Sequence, residues 1–294
     1  MKIGIYGQFY HEHSENYIQF ILDALQNYNA EVYIEANFLD IIKAHHGMSS
    51  DFSEVPTFTS LDKSYDFFFS IGGDGTILKS VTFVRDLGIP TIGINSGRLG
   101  FLATIQKEKI TESIQNILQG NFSISERSLL SIETDTESPQ FETLNFALNE
   151  IAVNRKNTTS MIKVETLVNG EFLNSYWSDG LIVATPTGST GYSLSCGGPV
   201  IDPSTNSLVI TPIAPHNLNA RPLVIPDNCV ITLKVSGREE NYLVSLDSRI
   251  ATLDNETIIT IKKSPFTIKL VQLLDDSFVK TLRKKLLWGE DKRN

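Results

Sequence analysis

The sequence predicts an α/β N-terminal domain on a parallel sheet, followed by a mainly antiparallel β domain and a C-terminal helix that returns to the first domain. Three observations carry this. Strand and helix signals alternate over the first third of the chain, as expected of a parallel sheet covered by helices. After about residue 125, short apolar runs follow one another with turn residues between them and hardly any helical period. Helical periodicity returns only in the final stretch, SFVKTLRKKLLW.

Each element can be justified in order. KIGIYG reads as a buried strand. Ser14 to Tyr28 follows as a helix, with Tyr17, Ile21, Leu22, Ala24, Leu25 and Tyr28 at helical spacing. EVYIEA is the second strand, and Asn37 is the expected N-cap of the helix FLDIIKAH. YDFFFSI is a third strand feeding a glycine turn. ILKSVTFVRDL is then a helix, with Ile77, Leu78, Val81 and Val84 along one face and Gly88 placed to stop it. PTIGIN is a fourth strand, and residues 108–119 give one more helix.

Beyond that point the strand-like runs are LLSIET, FALNEIAVN, MIKVETLV, EFLNSYW, GLIVATP, SLVITPI, CVITLKV, NYLVSLD, TIITIK and FTIKLVQL. Asn169-Gly170 between two of them is a strong hairpin signal. The last helix carries Phe278, Leu282 and Leu286 on one face with Lys280, Arg283, Lys284 and Lys285 around it. Docking on the first domain with the basic residues solvated explains this better than a membrane-surface role. The expected divisions are residues 1–122, 123–275 and 276–294.

Composition limits function. The chain has 294 residues, 41% of them apolar and 20% charged, with a net charge of −9, so a broad electrostatic footprint for nucleic acid is not expected. Cys196 and Cys229 form no metal-ligand spacing and no disulfide framework. The opening MKIGIYG is too short for a signal peptide, and no apolar run approaches the ~20 residues of a membrane span. The expectation is a cytoplasmic protein that neither binds nucleic acid nor enters a membrane.

The chemistry begins at IGGDGTILKS, residues 71–80. A helix starting just after a strand-to-glycine turn offers free N–H groups and a positive dipole end to phosphate. The familiar nucleotide patterns fail. No G-x-x-x-x-G-K-[ST] exists, and the G-x-G-x-x-G template meets Leu78 where its third glycine belongs. No H-R-D or D-F-G kinase element is present. A carboxylate, Asp74, among Gly72, Gly73, Gly75 and Thr76 would repel a phosphate that is merely bound. It makes sense if phosphate is transferred: Asp74 could take the proton of an attacking hydroxyl or hold Mg²⁺ bridging the phosphates. The alternative is a structural Asp in a tight turn.

GGDGT occurs in a kinase superfamily that includes NAD kinases and diacylglycerol and sphingosine kinases. Asn149-Glu150, the stretch SDGLIVATPTGSTGYSLSCGGPVI at 178–201 and TPIAPHNLNARPLVIP at 211–226 together resemble the NAD kinase family. The resemblance implies transfer of the γ-phosphoryl of ATP to the 2′-hydroxyl on the adenosine side of NAD, with Mg²⁺ or Mn²⁺ as cofactor. It also implies an active site in the cleft between the domains and a homo-oligomer, a dimer or tetramer. A lipid kinase of the same superfamily and a non-catalytic pyridine-nucleotide sensor are the rival readings. The first has no need of TPTGSTGYSLS, and the second has little use for Asp74.

Residue roles follow from that resemblance. Asp74 would be the catalytic group, with Gly72, Gly73, Gly75 and Thr76 forming the phosphate turn. Lys79, on the first helical turn, would reach a phosphate or NAD. Asn149 and Glu150 would grip the ribose that receives the phosphate, and their chemistry suits it, since a carboxylate accepts and an amide can donate. Asp179, Thr187, Thr190, Gly191, Tyr192, Ser193, Leu194, Ser195 and Ala214 would line the NAD pocket. Leu99, Gly100 and Phe101 would form a wall near the adenine, with Arg98 as a lesser candidate for phosphate and His216 as a pocket-lining or structural residue. Two departures stand out. Gly191 replaces the usual Ala, and Asp247-Ser248-Arg249 stands where Asp-Gly-Gln is common. Arg249 is therefore a candidate to put a cation near the extra phosphate of NADP, the alternative being a rim residue or an intersubunit salt bridge.

Overall fold

The structure is a computed structural model that describes residues 1–8, 14–26, 28–44, 54–97, 99–136, 138–157 and 160–289. It divides into two compact units. Met1–Glu126 and Ile268–Asn294 form one, and Arg127–Thr267 form the other.

Unit 1 is a parallel α/β layer. Its strands are β1 (Lys2–Gly7), β2 (Glu31–Glu35), β3 (Thr57–Phe58), β4 (Phe67–Gly72), β5 (Thr91–Asn95) and β6 (Ile105–Gln106). They lie in the order β5-β4-β1-β2-β3, every pair parallel, with β6 beside β5. The helices are α1 (Ser14–Gln26), α2 (Ala36–Lys43), α3 (Asp74–Val84) and α4 (Ile110–Leu118). A parallel sheet is covered on both faces, so its strands are apolar throughout. Ile3, Ile5, Ile34, Phe69, Ile71, Ile92 and Ile94 pack with Ile21, Leu25, Ile114 and Ile117 in one cluster.

The boundaries differ from the sequence expectations in informative ways. Helix α2 is capped by Glu35 instead of Asn37: the Glu35 side chain accepts the Phe38 N–H at 2.9 Å and a bond from Asn37 Nδ2 at 2.9 Å. Helix α3 begins at Asp74, inside the glycine turn, so Lys79 stands on its second turn. Gly88 does stop this segment, in the left-handed region at φ 71, after a 3-10 turn over Arg85–Leu87.

Unit 2 is β-rich and antiparallel. Strand β7 (Phe122–Thr134) leads into it and pairs with β8 (Phe146–Ala147). One sheet orders β14 (Leu223–Pro226), β13 (Ser207–Ile213), β12 (Gly180–Ala184), β9 (Glu150–Asn154), β16 (Asn241–Leu246) and β17 (Arg249–Asp254). The other strands are β10 (Ile162–Val168), β11 (Glu171–Ser178), β15 (Ile231–Gly237) and β18 (Ile258–Leu273), paired β11-β10-β15-β18. Asn169 and Gly170 both have positive φ, 52° and 81°, as the expected hairpin requires. The core joins Val153, Val164, Leu181, Val183, Leu208, Leu233, Tyr242 and Val244.

FALNEIAVN, read as one strand, is two, β8 and β9, with a break at Leu148-Asn149. TIITIK and FTIKLVQL, separated in the sequence by Lys263-Ser264-Pro265, fall in the single strand β18. Its Leu270 pairs with Thr91 of β5 within unit 1. A short helix α5 (Tyr192–Ser195) follows a 3-10 turn over Gly188–Thr190. The final helix α6 (Phe278–Leu286), capped by Ser277, belongs to unit 1. Among the described residues, no helix is long and apolar enough to cross a membrane.

Candidate active site

The glycine turn sits where an open α/β sheet gathers ligands. With the order β3-β2-β1-β4-β5, the connections after β1 and β4 leave in opposite directions, and the crevice at their carboxyl ends is the switch point. β4 ends at Gly72 and α3 starts at Asp74. Gly72 is required by the fold itself. Its φ is 155°, and an added Cβ would fall 2.2 Å from Thr76 Oγ1. Gly73 and Gly75 are different: an added Cβ at either meets nothing within 4 Å, and neither has a positive φ. The fold therefore makes no demand for glycine at 73 or 75. What the missing side chains leave is bare main chain beside a helix N-terminus, open to close approach.

Asp74 is held by main chain. Its Oδ2 accepts the Phe101 N–H at 2.7 Å, and its Oδ1 accepts Leu102 and Ala103 N–H groups at 2.9 and 3.0 Å. Three consecutive amides thus converge on one carboxylate. Gly100 is what lets it in, since a Cβ there would lie 1.9 Å from Asp74 Oδ1. The acid does not serve its own turn; it pins a loop 27 to 29 residues away. Oδ2, with one amide donor, keeps a lone pair for a further partner.

Around it, Lys79 is exposed on α3. Phe101 is half-buried, its ring 6.4 Å from that of Phe278 on α6, with Lys285 Nζ 6.0 Å from its centre. Leu99 lines a cavity of about 290 Å³ shared with Thr104, Lys109, Asn116, Lys280 and Lys284. Arg98 lies outside the described residues.

In unit 2, Asn149 falls at the break before β9 and Glu150 is the first residue of β9. Asp247 accepts N–H groups from Leu148, Asn149 and Glu150 at 2.9, 2.8 and 3.2 Å. The carbonyls of the same three residues are bonded as well: Leu148 O to Thr185 Oγ1, Asn149 O to Thr185 N, and Glu150 O to Asp247 N. The side chains are the reverse. Asn149 Oδ1 and Glu150 Oε2 are buried and have no hydrogen-bond partner. Burial and then the Asp247 charge push the Glu150 carboxyl up to about 8, against the lowering effect of a bond from the Tyr192 N–H.

The stretch at 185–195 divides its hydroxyls. Thr185, Ser189 and Ser193 turn inward, to Leu148 O, to Pro186 O and to Thr211 Oγ1. Thr190 Oγ1 bonds to Thr187 O, and Thr187 Oγ1 accepts from Arg127 at 3.4 Å. The hydroxyl-rich composition thus holds the loop together as much as it lines a pocket, and Ser193 in particular is fully buried. Tyr192 and Ser195 are exposed, while Gly191 and Leu194 are half-buried. A Cβ on Gly191 would meet Gly188 O, Glu150 Oε2 and Asn149 Nδ2 at 3.2, 3.3 and 3.4 Å, so glycine keeps space open beside the two orphaned groups.

Asp179 pairs with Arg155 at 2.9 Å. Both line a cavity of about 760 Å³ with Trp177, Ala214, His216 and Arg238. Ala214, in this lining, adopts a positive φ of 43°.

Arg249 does not sit as expected. Its Nη1 donates to Leu144 O at 2.8 Å, its Nη2 donates to Phe146 O, and the guanidinium lies over the Phe146 ring. It ties a loop to β8 and does not stand free for a ligand phosphate. Sequence reasoning gave the neighbouring Asp247 no role, and it also passed over Arg155 and Arg127. The one available signal was an acid in the tight turn between two apolar strands, a position that favours Asp with φ near 53°.

Comparison with known proteins decides the family. The model of the ATP-NAD kinase N-terminal domain matches residues 3–122, and that of the ATP-NAD kinase C-terminal domain matches 148–273. The chain belongs to the ATP-NAD kinase family. The NAD kinase of Christiangramia forsetii is 60% identical over 294 residues, covering 100% of both chains. That of Bacteroides fragilis is 40% identical over 293 residues, again covering 100% of each. Among solved structures, an NAD kinase from Archaeoglobus fulgidus in complex with ATP superposes with a TM-score of 0.74 at 27% identity, covering 98% of this chain and 99% of that one. Yeast NADH kinase complexed with NADH shares the fold, with a TM-score of 0.85 at 21% identity and coverage of 100% and 89%. As expected of an ATP-NAD kinase, an α/β unit is followed by an antiparallel β unit, and the final helix belongs to the first.

Proposed function

We infer that the protein is an NAD kinase, transferring the γ-phosphoryl of ATP to the 2′-hydroxyl of the adenosine ribose of NAD to give NADP and ADP. The observation that carries this beyond family membership is the bare main chain at Gly73 and Gly75, where the fold has no need of glycine. In this reading Gly72, Gly73, Gly75 and Thr76 form the phosphate turn at the N-terminus of α3. The 2′-oxygen attacks the γ-phosphorus, the bond to the ADP oxygen breaks, and the hydroxyl proton passes to Asp74 Oδ2. Aspartate is a weak base, reference pKa ~3.9, so it helps late, once bond formation has acidified the alcohol. Asn149 Oδ1 and Glu150 Oε2 meet the acceptor ribose.

The remaining NAD contacts, at Lys79, Asp179, Thr187, Thr190, Gly191, Tyr192, Ser193, Leu194, Ser195 and Ala214, belong to the same proposal. So does an adenine wall at Leu99, Gly100 and Phe101. Ser193 would contribute main chain, because its hydroxyl is taken by Thr211.

Among the described residues no three His, Cys, Asp or Glu side chains converge as a metal cage. That is compatible with a Mg²⁺ or Mn²⁺ ion carried by the nucleotide phosphates, for which Asp74 would be a carboxylate partner. Such an ion neutralises phosphate charge when bound. We place the protein in the cytoplasm, a reading supported by free Cys196 and Cys229. Assembly into a dimer or tetramer is supported by exposed apolar side chains such as Leu218 and Ile250, 90% and 70% exposed.

The test separates the glycines. Gly73→Ala is expected to keep the thermal midpoint and raise the KM for ATP, because its Cβ enters only ligand space. Gly72→Ala is expected to lower stability by about 1–3 kcal/mol, because strained backbone and a clash with Thr76 coincide. A Gly73→Ala enzyme with unchanged ATP kinetics would remove the turn from the phosphate site.

A further inference from the structure

We propose that Asp247 is a positioning residue for the phosphoryl acceptor. It fixes the main chain from Leu148 to Glu150 and so sets where the Asn149 and Glu150 side chains meet the ribose. This rests on the functional reading above and extends it to a residue that touches no substrate.

The geometry points to presentation rather than general stability. All six main-chain polar groups of Leu148, Asn149 and Glu150 are bonded, three N–H groups to one Asp247 carboxylate. The two orphaned side-chain atoms, Asn149 Oδ1 and Glu150 Oε2, belong to this same fixed segment. A segment with a fully committed backbone and two buried side-chain oxygens left without a partner is built to face something else. Asp247 itself sits in the two-residue turn between β16 and β17, at φ 53°, where a short polar side chain is tolerated and the turn aims its carboxylate back at the strand break. From the opposite side, Gly188 packs against Asn149 O, where a Cβ would lie 2.0 Å away. The segment is clamped between the Asp247 turn and the Gly188 turn.

Asp247 also acts through its charge. The charged and titratable groups around Glu150 are Asp247 on the β16–β17 turn and Tyr192 on α5, with Arg249 beside Asp247. While the Arg249 charge bears on Asp247, Asp247 is the charge that acts on Glu150. It favours the protonated carboxyl, and a neutral carboxyl can both donate to and accept from a ribose diol.

The experiment is steady-state kinetics on the full chain across pH, with Asp247→Asn as the first variant. The amide can still accept two N–H groups at one oxygen but turns an NH₂ toward a third. The KM for NAD should rise about tenfold or more, as for a lost charged hydrogen bond, while the KM for ATP stays within about twofold. The pH at which NAD affinity titrates should move down, because Glu150 loses its negative neighbour. A purely structural role would raise both constants together and leave that midpoint in place; either result overturns the proposal. Should Asp247→Asn lose its cooperative thermal transition, Asp247→Glu is read instead. It keeps the charge and displaces it by one methylene, so the KM for NAD rises at an unchanged midpoint. An unchanged KM for NAD in Asp247→Glu likewise overturns the proposal. If the unsubstituted protein makes no NADP from ATP and NAD, the functional reading fails; if it turns over and the variants do not discriminate, only the role of Asp247 fails.

Discussion

Two aspartates in this molecule share one device. Asp74 in unit 1 and Asp247 in unit 2 each accept three consecutive main-chain N–H groups, from residues 101–103 and 148–150. Each pins a segment far away in the chain. They differ in their company. Asp74 stands at the first residue of a helix, beside glycines left bare, and Oδ2 keeps a free lone pair. Asp247 stands beside a second buried carboxyl, that of Glu150, and its charge helps raise the proton affinity of Glu150. Under the proposed function, the same nest would present a carboxylate to a ligand in one unit and its neighbours in the other. A carboxylate fed by three amides carries no single meaning; what lies on its remaining side decides its role.

The largest expected effect breaks the comparison at Asp74. Asp74→Asn should lower kcat by roughly 10²–10⁴-fold, as for loss of a general base, while NAD binding by calorimetry stays near that of the unsubstituted protein. The Asn oxygen can still accept from Leu102 and Ala103, but its NH₂ then faces the Phe101 N–H, so the thermal midpoint is measured alongside to separate lost chemistry from a loosened loop. A variant with near-normal kcat would make Asp74 a loop anchor only, and the two aspartates would then be alike.

The next effect sharpens the contrast through Glu150. Its carboxyl is raised from 4.5 to about 8, so between those values the folded protein holds a proton that the unfolded chain releases. Stability should therefore fall as pH rises through this window, by as much as a few kcal/mol, and level off above it. Glu150→Gln should flatten that fall, as followed by thermal midpoints from pH 5 to 9. A slope unchanged by Glu150→Gln would remove Glu150 as its source.

The smallest effect concerns Arg249. With its guanidinium on Leu144 O and Phe146 O, Arg249→Gln should cost about 1–3 kcal/mol in chemical denaturation and leave inhibition by NADP unaltered. A selective loss of NADP inhibition would restore the product-phosphate role that the sequence suggested.

Much of this was legible in the sequence, and the limits have physical causes. Alternation of apolar runs with helical spacing located the parallel unit, and Asn169-Gly170 located a hairpin. GGDGT and the Asn149-Glu150 pair pointed to a candidate site because glycine and carboxylate are informative at single positions. What escaped depends on partners distant in the chain. Nothing near residue 247 announces that its side chain meets residue 148, and nothing near residue 100 announces that Gly100 makes room for Asp74. Arg249 was misread for the same reason: a charge on paper was matched to a ligand charge, whereas main-chain carbonyls claim it in the fold. Caps and strand ends, such as Glu35 in place of Asn37, were decided by a competition between adjacent side chains that residue preference ranks only on average.

The division of the chain also has a consequence in time. Unit 2 is one unbroken run, Arg127–Thr267, whereas unit 1 needs Ile268–Asn294 as well as Met1–Glu126. During synthesis from the N-terminus, the glycine turn and its pinned loop emerge early, but the strand that pairs at Thr91 and the helix under Phe101 come last. The β unit can close while the α/β unit still waits, so on the ribosome the first unit begun is the last one finished.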